Sequence, residues 1–203
     1  MTSTRFHTFA IALLACFAIA SDAFAEDLFR RVAEMVNDER QKLGLKRLAY
    51  NDQLERAALS QARWMAEVGR MEHLRGERPA NLQNFKASEW HHIHRVIKTG
   101  YLKWEDLYDL EVNGASAQLH AKPFADDYAS EIISKGDPNT GHPKTQLPIV
   151  VPGWMRSPGH RAAIVKNSWE EIGGAYAMSR DGSTFWCVVF GKPMRPDDPN
   201  ARR

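Results

Sequence analysis

Residues 153–164 read GWMRSPGHRAAI, and this stretch carries the most specific signal in the chain. Ser157 is a favoured N-cap residue, and Pro158 suits the first helical position because its missing N–H would have had no partner there. His160 then falls in the first turn, where the helix dipole favours a neutral imidazole. The stretch therefore predicts a new helix with an uncharged histidine near its N-terminus and with the Ser157 hydroxyl used for capping.

Two strands are predicted directly after this stretch. Glu171–Met178 and Thr184–Phe190 are separated by the turn signal Arg180-Asp181-Gly182, which is typical of a hairpin. Cys187 lies in the apolar second strand, which indicates a buried thiol rather than a reactive one.

Helices are predicted at the other end of the chain. Residues 26–42 carry apolar side chains at helical spacing and end at Gly44. A second helix begins with Asn51 as its N-cap and ends near Gly69. Shorter helical pieces are predicted at Ala87–Lys98, at Trp104–Leu110 and around residues 149–155, the last of them broken at Pro152-Gly153. A loop is predicted over residues 136–146.

Four segments, in order, resemble the CAP superfamily of cysteine-rich secretory, antigen 5 and pathogenesis-related proteins, in its bacterial SCP-like branch. Residues 153–164 are similar to the signature W-M-x-S-P-G-H-R-x-x-I, and residues 171–191 resemble the two closing strands. Residues 36–45 resemble the opening N-x-x-R…G-L helix, and residues 54–73 resemble the second helix with its terminal histidine. The resemblance implies an α+β fold, a three-layer α-β-α sandwich over residues 26–192, with a large, mostly helical or irregular insertion at 76–129. Residues 193–203 are expected to form a disordered tail.

The resemblance also implies a cleft in which His73, Glu131 and His160 converge. Glu131 is matched because the segment 130–136 keeps the Glu and Ile of the family's G-E-N-I-A box, while residues 111–114 are an alternative position for that box. Two histidines and one glutamate, with water in the open position, would suit Zn²⁺. The alternative is a hydrogen-bonded His–Glu–His network without metal. A serine-hydrolase arrangement of Ser157, His160 and Glu131 is disfavoured, because capping would occupy the hydroxyl.

The insertion contains a second group of candidate residues. His91 and His94 would share one helix face and could hold a metal weakly, although a solvated or cleft-lining role is favoured. The aromatic residues of the insertion are expected to fill its own small core; the alternative is a surface that caps the cleft or binds a partner or lipid. They are Trp90, Tyr101, Trp104 and Tyr108.

The first 25 residues are typical of a cleavable signal peptide. Arg5 supplies the positive charge, residues 9–20 are apolar, and Ala23-Phe24-Ala25 fits a cleavage site. A lipoprotein box ending at Cys16 is the disfavoured alternative. The protein is therefore expected to be secreted or periplasmic and not integral to a membrane, and its balanced charge of +2 gives no indication of nucleic-acid binding.

These patterns favour a binding module, whose cleft would take a divalent metal, a small molecule or a lipid. The chain contains neither H-E-x-x-H nor G-x-S-x-G, which disfavours an enzyme. Two alternatives stay open: a metal-dependent hydrolase of the cell envelope, and a structural envelope protein that docks a partner through the insertion.

Overall fold

The computed structural model describes residues 27–113 and 116–198, so the predicted signal peptide and Cys16 lie outside the described residues. The helices are α1 (27–42), α2 (Asp52–Val68), α3 (Leu82–Ala87), α4 (His92–Lys98), α5 (Trp104–Leu107), α6 (Pro143–Arg156) and α7 (Pro158–Val165). The strands are β1 (Ala49–Tyr50), β2 (Tyr108–Asn113), β3 (Ser116–Ala121), β4 (Ala129–Gly136), β5 (Glu171–Met178) and β6 (Thr184–Gly191), and short 3₁₀ turns cover Ala125–Asp127 and Pro138–Thr140.

A four-stranded sheet in the order β1-β5-β6-β4 forms the middle layer. β6 pairs antiparallel with both β5 and β4, whereas β1 runs parallel to β5. Helix α2 and the insertion cover one face of the sheet, on which Ala175, Cys187 and Val189 are buried. Helices α1, α6 and α7 cover the other face, on which Ile172 and Trp186 are buried. The predicted three-layer α-β-α arrangement is therefore confirmed.

Two adjacent glycines in β5 allow the helices to approach both faces of the sheet. A Cβ at Gly173 would overlap the backbone of Leu54 and Glu55 in α2. A Cβ at Gly174 would meet the side chain of Val32 in α1, on the opposite face. Successive strand residues point to opposite faces, so this pair brings one helix close on each side.

Helix α2 has the predicted boundaries, and these fix where the following loop starts. The Asn51 side chain accepts hydrogen bonds from the backbone N–H groups of Gln53 and Leu54. Gly69 ends the helix in the left-handed region, with φ of 70°. The loop that follows places His73 beside Glu131 of β4.

Helix α6 differs from the prediction, because it starts within the predicted loop and continues through Pro152. An internal proline removes one backbone hydrogen bond and costs about 3 kcal/mol. Leu147, Val151 and Trp154 are nearly fully buried on one side of this helix. Their burial offsets the penalty of the internal proline. The prediction of a break at Pro152-Gly153 considered only the local preference and not this burial.

The insertion contains a hairpin that the sequence reading missed. The predicted helix Trp104–Leu110 ends at Leu107, and β2 follows at once and pairs with β3. Tyr108, Leu110 and Val112 alternate with polar residues, which is a strand pattern with a period of two. The expected aromatic core is present, with the Trp104 ring centroid 5.1 Å from that of Tyr108 and 5.9 Å from that of Phe85.

The first residues of the predicted disordered tail pack against the domain. Tyr128 donates a hydrogen bond to Asp198 over 2.6 Å, and the ammonium group of Lys192 lies 2.8 Å from the same carboxylate. Arg195 pairs with Glu170 at the start of the β5 hairpin. The chain from 193 to 198 therefore contacts the domain through Arg195 and Asp198, and residues 199–203 lie outside the described part of the chain.

Candidate functional site

Glu131 is the centre of the site. It lies in β4, on the sheet face covered by α2 and the insertion, and its side chain is only 1% exposed. One carboxylate oxygen lies 3.0 Å from Nδ1 of His73, and the other lies 2.7 Å from Nη2 of Arg95. The Cys187 thiol, on the neighbouring strand, points to this second oxygen at 3.6 Å. The structure therefore joins His73 to Glu131, as the resemblance implied, and adds two residues that the sequence reading had not placed there.

The charge of Glu131 is stabilised by these neighbours. Burial alone would raise the pKa of the carboxyl group, because a charge is poorly solvated inside the protein. The Arg95 guanidinium and the hydrogen bond from His73 outweigh burial and lower the pKa of Glu131 to about 2. The carboxylate is therefore ionised throughout the physiological pH range. The Cys187 thiol beside it is buried, and burial followed by the charge of Glu131 raises its pKa well above the usual value.

Arg95 connects the insertion to the central sheet. It lies in α4 and is almost fully buried, and it also donates to the carbonyl oxygens of Glu89 and His73 at 2.8 and 3.2 Å. A buried arginine is stable only when it is paired and hydrogen-bonded. The sequence offered one weak signal for it, a cation among Ile93, Val96 and Ile97 in a short helix.

A second arginine holds the loop that carries His73. Arg75 donates to Gln61 in α2 over 2.9 Å and to Glu89 over 2.6 Å. Gln61 in turn donates to the carbonyl oxygen of Glu72 over 2.5 Å. Since these contacts fix the backbone on both sides of His73, its ring is held in position against Glu131.

His160 lies in the first turn of α7, as predicted, and is partly buried. Burial and then the nearby His73 lower its pKa, so the neutral imidazole is favoured. Ser157 occupies the predicted N-cap position, but its side chain makes no capping hydrogen bond, which corrects that part of the prediction. Both residues line a groove beside the edge of β4.

The predicted zinc site of His73, Glu131 and His160 does not fit the arrangement of these residues. Among the described residues, the three side chains do not bring one ligand atom each within 4.8 Å of one another. Both oxygens of Glu131 are already engaged, one of them by the Arg95 guanidinium. The geometry fits part of the alternative interpretation: a hydrogen-bonded network of His73, Glu131 and Arg95 links the loop after α2, the insertion and the sheet, and within the described residues His160 is not hydrogen-bonded to it.

The alternative position of the acidic box is not part of this site. Glu111 lies on the β2–β3 hairpin, is 57% exposed and pairs with His120 over 3.0 Å. Glu131 is therefore the acidic residue next to His73.

His91 and His94 have ring centroids 6.2 Å apart, but they lie in different surroundings. His94 is fully buried, where it packs on Phe85 with ring centroids 4.4 Å apart and contacts the Ser88 hydroxyl at 3.1 Å. The ligand atoms that lie close to those of His91 belong to His92 and Asp126.

The groove beside β4 has a volume of about 510 Å³. Its walls come from the outer edge of β4, from one side of α6 and from the loop after α2. Two large apolar side chains of the groove are strongly exposed, Met71 at 48% and Ile149 at 58%. The residues that line it are Met71, Ile133, Ser134, Lys135, Gly136, Asp137, Gln146, Ile149, Val150, Gly153, Trp154, Arg156, Ser157 and His160.

None of the helices within residues 27–113 and 116–198 combines the length and apolar character needed to span a bilayer.

Comparison with known proteins agrees with this architecture. The profile of the Cysteine-rich secretory protein family, CAP, matches residues 33–190, which is more than half of the chain. No curated protein matches the sequence. Among solved structures, the chain is similar to an outer surface protein from Borrelia burgdorferi, with 21% identity and a TM-score of 0.55 over 81% of this chain and 92% of that one.

A second similar structure is an extracellular protein containing a SCP domain from Bacillus anthracis. It has 13% identity and a TM-score of 0.53 over 83% of this chain and 41% of that one, so this chain spans less than half of the Bacillus protein. At such identities the likeness shows the fold alone. With the family profile, the three-layer sandwich and the His73–Glu131 pair in agreement, the chain belongs to the CAP family of cysteine-rich secretory proteins.

Proposed function

We propose that this protein is an extracytoplasmic binding module, and that the groove beside β4 binds the apolar part of a small amphiphilic ligand. The observation that carries the proposal is the groove itself, in which Met71 and Ile149 are held exposed beside the buried ring of Trp154. Ligand pockets typically have volumes of about 300–1,000 Å³ and mostly apolar walls with a few polar groups. The groove, at about 510 Å³, lies within that range.

The polar groups of the groove favour a ligand with an anionic head. Lys135 and Arg156 both line it, against the single carboxylate of Asp137. Ser157 and His160 lie at the same groove and would supply hydrogen bonds to a head group. A long-chain fatty acid has this combination of an apolar tail and a carboxylate.

The extracytoplasmic location rests on two supports. The first 25 residues have the composition of a signal peptide. The two similar structures are described as an outer surface protein and an extracellular protein. Secretion and retention in a periplasm are both compatible with these supports.

The metal-dependent hydrolase is the weaker candidate. Its predicted zinc ligands would have to include Glu131, whose oxygens are engaged by His73 and Arg95. Docking of a partner through the insertion's aromatic residues is also disfavoured, because Trp104 and Tyr108 pack within the insertion.

Displacement of a fluorescent fatty acid from the protein, expressed from its full sequence, tests the proposal. We expect saturable binding of the probe, and we expect Met71→Glu and Ile149→Glu each to weaken it by at least about tenfold, because a charge in the groove opposes burial of the acyl chain. Met178→Glu is the matched control, since Met178 is 51% exposed but lies outside this groove. Absence of saturable binding, or equal weakening by all three variants, would refute the proposal.

A further inference from the structure

Three side chains of the insertion form a compact group, which we call the insertion cluster. His91 is the N-cap of α4, His92 is its first residue, and Asp126 lies in the 3₁₀ turn Ala125–Asp127. Each offers one ligand atom, and these three atoms lie within 4.8 Å of one another. The fold therefore brings a carboxylate to two adjacent histidines that are more than thirty positions away in the sequence.

Each histidine makes one long hydrogen bond at a ring nitrogen. Nδ1 of His91 accepts from the backbone N–H of Ile93 at 3.4 Å, so in the neutral ring the proton is on Nε2, and a metal ion would take the Nδ1 lone pair in place of this long contact. Nε2 of His92 lies 3.3 Å from the carbonyl oxygen of Ala129, to which it donates in the neutral ring, so the lone pair available to a metal ion is on Nδ1. The Asp126 carboxylate is 80% exposed and lies 3.9 Å from Nε2 of His92, beyond hydrogen-bond distance.

The imidazole rings of His91 and His92 lie close together. Their ring centroids are only 4.0 Å apart, which disfavours two positive charges. The nearby cation Arg95 is paired with Glu131, which limits its opposition to a bound metal.

One side of the insertion cluster is open. His91 and Asp126 line a depression of about 350 Å³, whose wall also includes Arg78, His120 and Lys122. Three ligand atoms around one zinc ion, at bond lengths of about 2.1 Å, lie about 3.4 Å apart, so a small rotation of the exposed Asp126 side chain would complete the set. The fourth position would face the depression and take water or an anion.

We propose that the insertion cluster, His91, His92 and Asp126, binds a divalent transition metal such as Zn²⁺. Two imidazole nitrogens and one carboxylate oxygen suit ions of the zinc, nickel and copper group, whereas Mg²⁺ and Ca²⁺ prefer sites built from oxygen. This site is separate from the groove beside β4, so metal binding and ligand binding are tested independently.

The test is a zinc titration of the tag-free protein, expressed from its full sequence, in competition with a chromophoric zinc indicator. We expect one zinc ion per chain. We expect Asp126→Asn and His91→Gln each to weaken binding by more than about tenfold, because loss of even a ligand's hydrogen-bonding partner costs about 10–100-fold in metal affinity. Asp126 is mostly exposed, so its substitution leaves the fold intact.

Two control variants make the result specific. His120→Gln changes an exposed histidine at the same depression and should leave the zinc affinity unchanged. His73→Gln changes the cleft histidine and should also leave it unchanged. The proposal is overturned if no stoichiometric zinc is bound, if Asp126→Asn and His91→Gln bind like the wild type, or if His73→Gln alone abolishes binding.

Discussion

Replacing Arg95 by methionine tests the central role that the structure gives to the Arg95–Glu131 pair. Both side chains are 1% exposed, with 2.7 Å between Nη2 and Oε2. Removing one partner of a buried pair leaves an uncompensated charge and costs about 3–5 kcal/mol of unfolding free energy. In a protein of this size each kcal/mol shifts the melting temperature by about 2–4 °C, so Arg95→Met should lower it by about 6–20 °C at pH 7.

The assay is thermal unfolding followed by circular dichroism, with Arg95→Met, Glu131→Gln and the double variant in one cycle. The double variant should be more stable than the sum of the single losses predicts, by about 0.5–3 kcal/mol, because the second change removes the unpaired charge. Arg70→Met is the matched control. Arg70 pairs with Glu72 at 3.4 Å, but at 62% and 41% exposure, so it should cost at most about 1 kcal/mol.

The pH dependence of the same variants gives an independent check. In Arg95→Met the pKa of Glu131 should rise, since burial is no longer opposed by the guanidinium. Protonation then relieves the unpaired charge, and the stability gap to the wild type should narrow as the pH falls from 7 towards about 4. A loss below about 1 kcal/mol at pH 7, with additive behaviour in the cycle, would refute the assignment of Arg95 as the partner of Glu131.

Three further predictions concern acid stability, packing and thiol reactivity. The pKa of Glu131 is lowered from 4.5 to about 2, so its contribution of about 3 kcal/mol to the unfolding free energy is fully present above pH 4.5 and is lost as the pH falls from 4.5 towards 2. Urea unfolding at several pH values measures this loss, and an unfolding free energy that does not change over this range would contradict it. Gly173→Ala should lower the unfolding free energy by about 1–3 kcal/mol or more, because the added Cβ meets the α2 backbone. Gly159→Ala, with open space around its Cβ, should cost less than about 1 kcal/mol. Denaturant unfolding compares the two variants, and equal losses of stability would contradict the packing explanation. Cys187 should react with a thiol reagent only in the unfolded protein, since it is fully buried and its pKa is raised; rapid labelling under native conditions would show that it is accessible.

The features that were predicted correctly from the sequence depend on local chemistry. The Asn51 cap and the glycine at position 69 define α2 within a few residues, and the hairpin of β5 and β6 follows from its turn. The expected approach of Glu131 to His73 is also found, because the end of α2 and the strand β4 are placed by the fold that the motifs indicated.

The features that were missed depend on contacts between distant parts of the chain. Arg95 lies 36 positions from Glu131, and nothing in its own helix shows which carboxylate it will meet. Burial of Trp154 keeps α6 continuous across Pro152, although the local preference is for a break. Position alone identified Ser157 as an N-cap, but the hydroxyl's bonding depends on its surroundings in three dimensions.

The Arg95–Glu131 pair limits how this domain can be shortened or recombined. A minimal CAP domain made by excising residues 76–129 would lose Arg95 with the excised segment. The buried carboxylate of Glu131 in β4 would then have no guanidinium to neutralise it. The shortened domain would therefore also need a neutral residue at position 131. Conversely, a graft of this insertion into a host domain would carry a buried arginine that requires a carboxylate on the receiving strand, so the two positions have to be transferred together.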